Sequence, residues 1–240
     1  MSKNQESLVI QFVLEVRFKS LYFEILDKKG GLAKELLKKL QLDKLKFSEG
    51  RLEFATDDFR NSYFLSTGNF GIQINKATDF DEFKKNTKKF IESLQSIDEF
   101  HPDIFRIGTK AGIFYHKKGW NFDAIKNKVI QKFVPNLNDL TKLVEADQVE
   151  DVGVPLNFKS GNKSFNTHVG PMRKEQLLTQ IFDPNPFKYE NVASEGLYYG
   201  IDLFEIDVND FSISNIYLKI DENISLIEKK FNAIKNWIQN

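Results

Sequence analysis

FGIQINKATDFDEFKKNTKKFIESLQSIDEFHPDIFRIGTKAGIFY, residues Phe70 to Tyr115, decides the architecture. Phe70, Ile72 and Ile74 fall on one face of a short alternating strand. Asp79-Phe80 then opens a helix predicted to reach Ile97, because Phe80, Phe83, Phe90, Ile91, Leu94 and Ile97 lie near one face and Asp79 with Glu82 has capping-box spacing. Phe105, Ile107, Thr109, Ala111, Ile113 and Tyr115 mark a second, longer strand. Part of this pattern returns near the C-terminus, where Gly200-Ile201-Asp202-Leu203-Phe204-Glu205-Ile206 is followed by Asp210-Phe211 and a helix starting near Ser212. The recurrence implies one fold built from two related halves, divided as residues 1–120 and 121–240 and forming one unit.

Working outward, Ile10, Phe12, Leu14, Val16 and Phe18 alternate with Gln11, Val13, Glu15 and Arg17, the period-two signature of a strand with one buried face. A helix is predicted through Leu36 and Leu37 to Leu40, with Gly30-Gly31 breaking or starting the element ahead of it. Lys46 to Phe54 reads as a hairpin about Glu49-Gly50, and Asn61 to Asn75 as two strands across Thr67-Gly68-Asn69. Asn121 to Phe133 is a second lysine-bearing helix, ended by Pro135. Val152, Val154, Leu156 and Phe158 lead through Ser160-Gly161-Asn162 into Phe165, Thr167 and Val169, another hairpin. Strands are predicted around Leu177 to Phe182 and from Leu197 to Ile206, separated by Asp183-Pro184-Asn185-Pro186. The last helix carries Ile213, Ile216, Ile220, Ile224, Ile227, Phe231, Ile234 and Ile238 at intervals of three and four, a stripe for the core or for an interface with another chain. The fold class that follows is α+β, antiparallel sheet packed by helices in two similar halves.

Composition narrows the function classes. With 41% hydrophobic residues and 23 Phe, the chain has ample material for a buried core and is not of a disordered class. The absence of cysteine excludes a disulfide framework, a thiolate metal site and a cysteine nucleophile. Met1-Ser2-Lys3-Asn4-Gln5-Glu6 is polar and lacks the apolar run of a secretory signal, and no segment approaches the roughly 20 apolar residues of a membrane span. A cytoplasmic protein with no membrane partner is expected, and the abundance of Lys, Asn, Ile and Phe fits an AT-rich bacterial genome. Formal net charge is zero, but residues 1–132 carry 24 Lys+Arg against 18 Asp+Glu and residues 133–240 carry 10 against 16. A basic half can meet nucleic acid or an acidic protein surface, including the acidic half of a second copy in a homodimer; solvated lysines on exposed helix faces account for the same numbers.

Three strand patterns carry a resemblance. Val13-Leu14-Glu15-Val16-Arg17-Phe18, Phe105-Arg106-Ile107-Gly108 after a Phe-rich helix, and Gly200-Ile201-Asp202-Leu203-Phe204 before a terminal helix resemble a sporadically distributed family of prokaryotic proteins of about this length. The Arg-Ile-Gly strand of that family continues with an arginine, an aromatic and an asparagine, whereas Thr109-Lys110-Ala111-Gly112 follows here. The resemblance implies the α+β fold and a bacterial origin. It implies no activity.

Candidate chemistry is sparse. His101, His116 and His168 lie far apart in sequence, outside any His-x-x-x-His or His-x-Glu spacing, so no metal site and no cofactor are expected. Gly-x-Ser-x-Gly is missing, and so are the further glycines and Lys-Ser/Thr of a phosphate loop. Asp202 alternates onto the same face as Phe204 and Ile206, which suggests a buried carboxylate paired with Arg106 or Arg17, Arg106 being favoured. Lys110, Lys117, Lys118, Lys126, Lys128 and Lys132 sit beside Phe114, Tyr115, Trp120 and Phe122, a mixture able to contact phosphates and stack on bases. The same aromatics serve equally as core. The expected function is non-enzymatic: an accessory or regulatory subunit of a bacterial defence or toxin-immunity system, binding another protein through Ile220, Ile227, Phe231 and Ile234 of the last helix or through an edge strand. A nucleic-acid-binding subunit using residues 110–132 is the alternative.

Overall fold

The structure, a computed structural model, describes residues 6–97, 100–143, 147–180, 192–206 and 212–239. In chain order the elements are β1 (Glu6–Phe18), α1 (Tyr22–Leu40), β2 (Lys44–Ser48), β3 (Arg51–Ala55), β4 (Asn61–Ser66), β5 (Asn69–Ala77), α2 (Phe80–Gln95) and β6 (Ile104–Lys117). Then follow α3 (Phe122–Phe133), α4 (Leu137–Leu143), β7 (Val154–Ser160), β8 (Lys163–Arg173), α5 (Lys174–Gln180), β9 (Glu195–Ile206) and α6 (Ile216–Gln239). All described strands join one antiparallel sheet in the order β2-β3-β4-β5-β1-β6-β9-β8-β7. This is the expected α+β architecture.

Strand order runs outward from the central pair in the same way on both sides. From β1 the neighbours are β5, β4, β3 and β2; from β6 they are β9, β8 and β7. In each run the first strand in sequence pairs with the last, and a helix follows that last strand: α2 after β5 and α6 after β9. α2 and α6 pack against each other, with α1 beside α2 and α3 beside α6. The sheet crosses the 120/121 division without a break, since β6 pairs with β1 on one side and with β9 on the other. By pairing, the second run begins at β6 rather than after it.

Alternation explains the core. Ile10, Phe12, Leu14 and Val16 of β1, with Phe70, Ile72 and Ile74 of β5, are fully buried beneath the helices. Helix α2 starts as its sequence requires, with the Glu82 N–H donating to the Asp79 side chain at 2.8 Å. The Glu82 carboxylate reaches back to the Thr78 N–H (3.4 Å) and pairs with Arg60 at 2.6 Å. Phe83 stacks on Phe12 with centroids 4.4 Å apart, Phe80 meets the same ring edge-on at 5.2 Å, and Phe90 packs edge-on against Tyr63 and Phe70. The hairpins about Glu49-Gly50 and Gly161 form as expected, each with its glycine at positive φ.

Several expectations change. Gly30 and Gly31 lie inside α1 and face open space. Each costs roughly 1 kcal/mol in a helix interior, a penalty outweighed by burial of Ile25, Leu32, Ala33, Leu36 and Leu40 on one side. Leu177 belongs to helix α5, not to a strand; Lys174-Glu175-Gln176-Leu177 are strong helix formers, and the Gln176 side chain accepts from the Arg173 N–H at 2.8 Å at the first turn. The stripe on α6 is core: Ile216, Ile220, Ile224 and Ile227 are fully buried, Phe231 is 3% exposed, and Ile234 is partly buried against the same cluster. Ile220, Ile227, Phe231 and Ile234 therefore pack inside this chain rather than offering an outward interface. No helix among the described residues is long and apolar enough to cross a membrane. The Asp183-Pro184-Asn185-Pro186 break and the Asp210-Phe211 pair lie outside the described residues.

Candidate functional site

The face of the sheet opposite the helix layer is the candidate surface. Helix α5 covers one corner of it, where Leu177 packs with Val9, Phe114, Met172 and Tyr198. Across the central strands the side chains on this face are half-buried or exposed and mostly polar. Registry sets them in rows. Val13, Lys110, Asp202 and Asn166 are cross-strand neighbours on β1, β6, β9 and β8. The next row holds Glu15, Gly108 and Phe204, and the one beyond it Arg17, Arg106 and Ile206.

Asp202 sits opposite Lys110, not Arg106. Burial pushes its carboxyl up from the usual range; Lys110 and then Arg106 pull it back, and Glu15 adds to the rise. Arg106 stands opposite Ile206, its guanidinium 5.0 Å above the Phe204 ring. Phe204 is half-buried and Ile206 is 44% exposed, so the expected buried Asp202–Arg106 pair does not form. The buried carboxylate of this strand is Glu205, on the opposite face with Leu203: it is 1% exposed, accepts from Asn162 Nδ2 at 2.5 Å and pairs with Lys219 at 3.1 Å. Its signal was in the alternation, since Leu197, Tyr199, Ile201 and Leu203 share its parity. Beside Asp202, Glu15 accepts two hydrogen bonds from Arg17 at 3.0 and 3.1 Å and one from Asn69 at 2.8 Å. Burial raises the Glu15 carboxyl, but these bonds outweigh it and hold it below the ordinary value.

The raised carboxyl of Asp202 gives a signed prediction. A group whose folded pKa lies above its unfolded value adds stability only while protonated in the folded chain, so its contribution is greatest below the unfolded pKa and is lost as pH rises through the folded one. Asp202→Asn should therefore equal or exceed the wild type in stability at neutral pH and fall relative to it on acidification. Urea denaturation of both proteins across that range checks this; a marked loss for Asp202→Asn at neutral pH would return Asp202 to a structural ion pair.

The lysines do not gather into one surface. Lys110 stands on the open face, while Lys126, Lys128 and Lys132 are on α3, which packs with the helix layer. Lys126 bonds Asp123 at 2.8 Å and the Val149 carbonyl at 3.1 Å; Lys128 donates to the Ile238 and Gln239 carbonyls at 2.8 and 3.2 Å, closing the end of α6. Lys132 lies 5.5 Å over the Trp237 ring. Lys117 ends β6 opposite Glu6, and Lys118 is exposed in the turn. Phe114, Tyr115 and Phe122 are buried, Trp120 is partly buried, and Arg173 lies 3.6 Å over Phe122. The aromatics are core.

His101 is exposed, His116 Nδ1 is 2.8 Å from the Glu195 carbonyl oxygen, and His168 stands edge-on to Tyr198 at 5.9 Å. Among the described residues no three His, Asp or Glu side chains gather to hold a metal ion. A cavity of about 780 Å³ opens at the other end of the open face, across β2 to β5, lined by Lys44, Ser62, Phe64 and Gln73 among others. Nothing in the motifs pointed to it, because its residues come from five strands and two loops and no two share a signature. No protein-family model matches the chain, and no curated protein matches it.

Proposed function

We propose that the chain is a non-enzymatic interaction protein, an accessory or regulatory subunit of a bacterial defence or toxin-immunity system, and that it grips its partner protein with the open face of the sheet. The observation that carries this reading is Arg106 lying over Phe204 with Ile206 exposed beside it on the central strands. Arginine and aromatic side chains are enriched at interfaces and arginine at hot spots, and the exposed Ile206 adds apolar area beside them. Glu15, Arg17, Lys110 and Asp202 surround that cluster with both signs of charge and supply the polar rim. Phe47 on β2 and Phe158 on β7, 52% and 53% exposed, give the two edge strands a secondary role in contact. The mirrored strand order supports an internal repeat, with α2 and α6 as equivalent helices. The nucleic-acid alternative draws less support, its six lysines being split between two faces.

Co-expression with the products of neighbouring genes tests the proposal. One of them should co-purify with the wild type, and Arg106→Ala or Ile206→Asp should weaken the complex by about 30-fold or more, the scale of a hot-spot residue, with the melting temperature kept. Absence of any such complex, or binding indifferent to both variants, would overturn it.

A further inference from the structure

A trough crosses the first four strands of the open face, away from Arg106 and Phe204. Lys44, Ala55, Ser62 and Gln73 are register neighbours on β2, β3, β4 and β5, so its two polar ends stand about 14 Å apart at the usual strand spacing. Ala55 and Ser62 between them are small, and the row sinks. Phe64 forms one wall: its ring lies over Gly71, where a Cβ would come within 2.6 Å of it, and the Arg51 guanidinium sits 4.3 Å above its centroid. Phe59 forms the other, in the loop between β3 and β4.

Phe59 is held in the left-handed region at φ 55°. Such a conformation costs a non-glycine residue on the order of 1–3 kcal/mol and persists only where its surroundings impose it. Here the Phe59 N–H donates to the Thr56 carbonyl at 2.9 Å, its carbonyl accepts from Asn75 Nδ2 at 3.4 Å, and the Lys44 ammonium lies 3.7 Å from its ring centroid. The loop is built to keep this ring at the trough's edge.

The polar ends are fixed as well. Asn75, only 4% exposed, accepts on Oδ1 from Gln11 Nε2 at 2.9 Å and Gln73 Nε2 at 3.0 Å. Gln73 spends one N–H on Asn75 and lines the trough, so its amide offers this end a carbonyl acceptor and a second N–H. At the other end Lys44 donates to the Asp57 carbonyl at 2.8 Å, with the Asp57 carboxylate 3.9 Å away. Lys46 and Arg51 share Glu53, at 3.7 and 2.8 Å. The lining carries the cations Lys44, Lys46 and Arg51 and the carboxylates Asp43 and Glu53, with the Asp57 carboxylate beside Lys44. The volume, about 780 Å³, is that of a small-molecule site.

We propose that this trough binds a nucleoside monophosphate: the phosphate at the Lys44 ammonium, the planar base between Phe59 and the Phe64–Arg51 wall, and the base N–H edge donating to Gln73 Oε1 and Ser62 Oγ. The site shares the open face with the proposed partner-protein surface but not its Arg106–Phe204 cluster: of the lining residues only Val13 reaches the row of Lys110 and Asp202.

Isothermal titration of the full chain at low salt with each of the four common ribonucleoside 5′-monophosphates, with adenosine and with inorganic phosphate, tests it. At least one monophosphate should bind with one-to-one saturation, tighter than either fragment. Lys44→Glu should weaken it about tenfold or more, as loss of a charge-assisted bond does, and Gln73→Leu should weaken the nucleotide but leave inorganic phosphate unchanged. Lys44→Gln serves where Lys44→Glu lowers the melting temperature. Failure of all four to bind, equal binding of inorganic phosphate, or indifference to the variants overturns the assignment. Any of these outcomes leaves the Arg106-dependent complex intact, so the two readings fail separately.

Discussion

Replacing Lys219 with Met is expected to lower stability by about 3–5 kcal/mol, the cost of stranding one member of a buried ion pair. Lys219 projects from α6 to Glu205 at the end of β9, and their side chains are 20% and 2% exposed. Glu205 Oε1 receives both Asn162 Nδ2 at 2.5 Å and Lys219 Nζ at 3.1 Å, while Oε2 has no hydrogen-bond partner. The carboxylate is thus already under-satisfied, and without Lys219 only the Asn162 amide remains. At this chain length the loss corresponds to a fall of roughly 6–20 °C in Tm. Pairing the change with Glu205→Leu removes the stranded charge and should recover most of it, since apolar replacement of both partners is often neutral. Urea denaturation of the two singles and the double decides. A Lys219→Met protein as stable as the wild type would mean that water, not Lys219, compensates Glu205.

Why some of this was legible in the sequence and some was not has a physical basis. Alternation over β1, β5 and β6 and the Asp79-capped face of α2 are local patterns, and the structure keeps them because one buried face enforces the period. Gly30-Gly31 misled because a glycine penalty near 1 kcal/mol is smaller than the burial of Leu32, Ala33 and Leu36 around it. Asp202 and Glu205 exchanged places because Phe204 and Ile206 make the end of Asp202's parity look apolar, while the longer apolar run of Leu197, Tyr199, Ile201 and Leu203, on which α6 lands, belongs to the parity of Glu205. The lysines of residues 110–132 read as one run along the chain, yet β6 and α3 carry them to different sides of the sheet. The trough was invisible for the complementary reason. Lys44, Ala55, Ser62 and Gln73 become neighbours only through strand pairing, and Phe59 becomes notable only through its backbone angle.

Phe231→Ala separates the two meanings that an apolar stripe on a helix can have. In the structure Phe231 is 3% exposed, with ring centroids 6.4 Å from Phe80 of α2, 6.2 Å from Tyr115 of β6 and 6.4 Å from Tyr199 of β9. It joins α2 and α6 to β6 and β9, the first two strands of the second run. Truncation removes a full ring from a packed site and leaves a cavity, which typically costs about 3–5 kcal/mol. Because every contact is within one chain, the denaturation midpoint should fall by the same amount at all protein concentrations. A residue at a subunit interface behaves otherwise: its loss lowers the midpoint in a concentration-dependent way and shifts the oligomer mass. Measuring the midpoint across a wide concentration range, with sedimentation velocity on the same samples, distinguishes the two. A near-native midpoint accompanied by a drop in mass would restore α6 as a contact between chains and remove the open face from its place as the principal interaction surface.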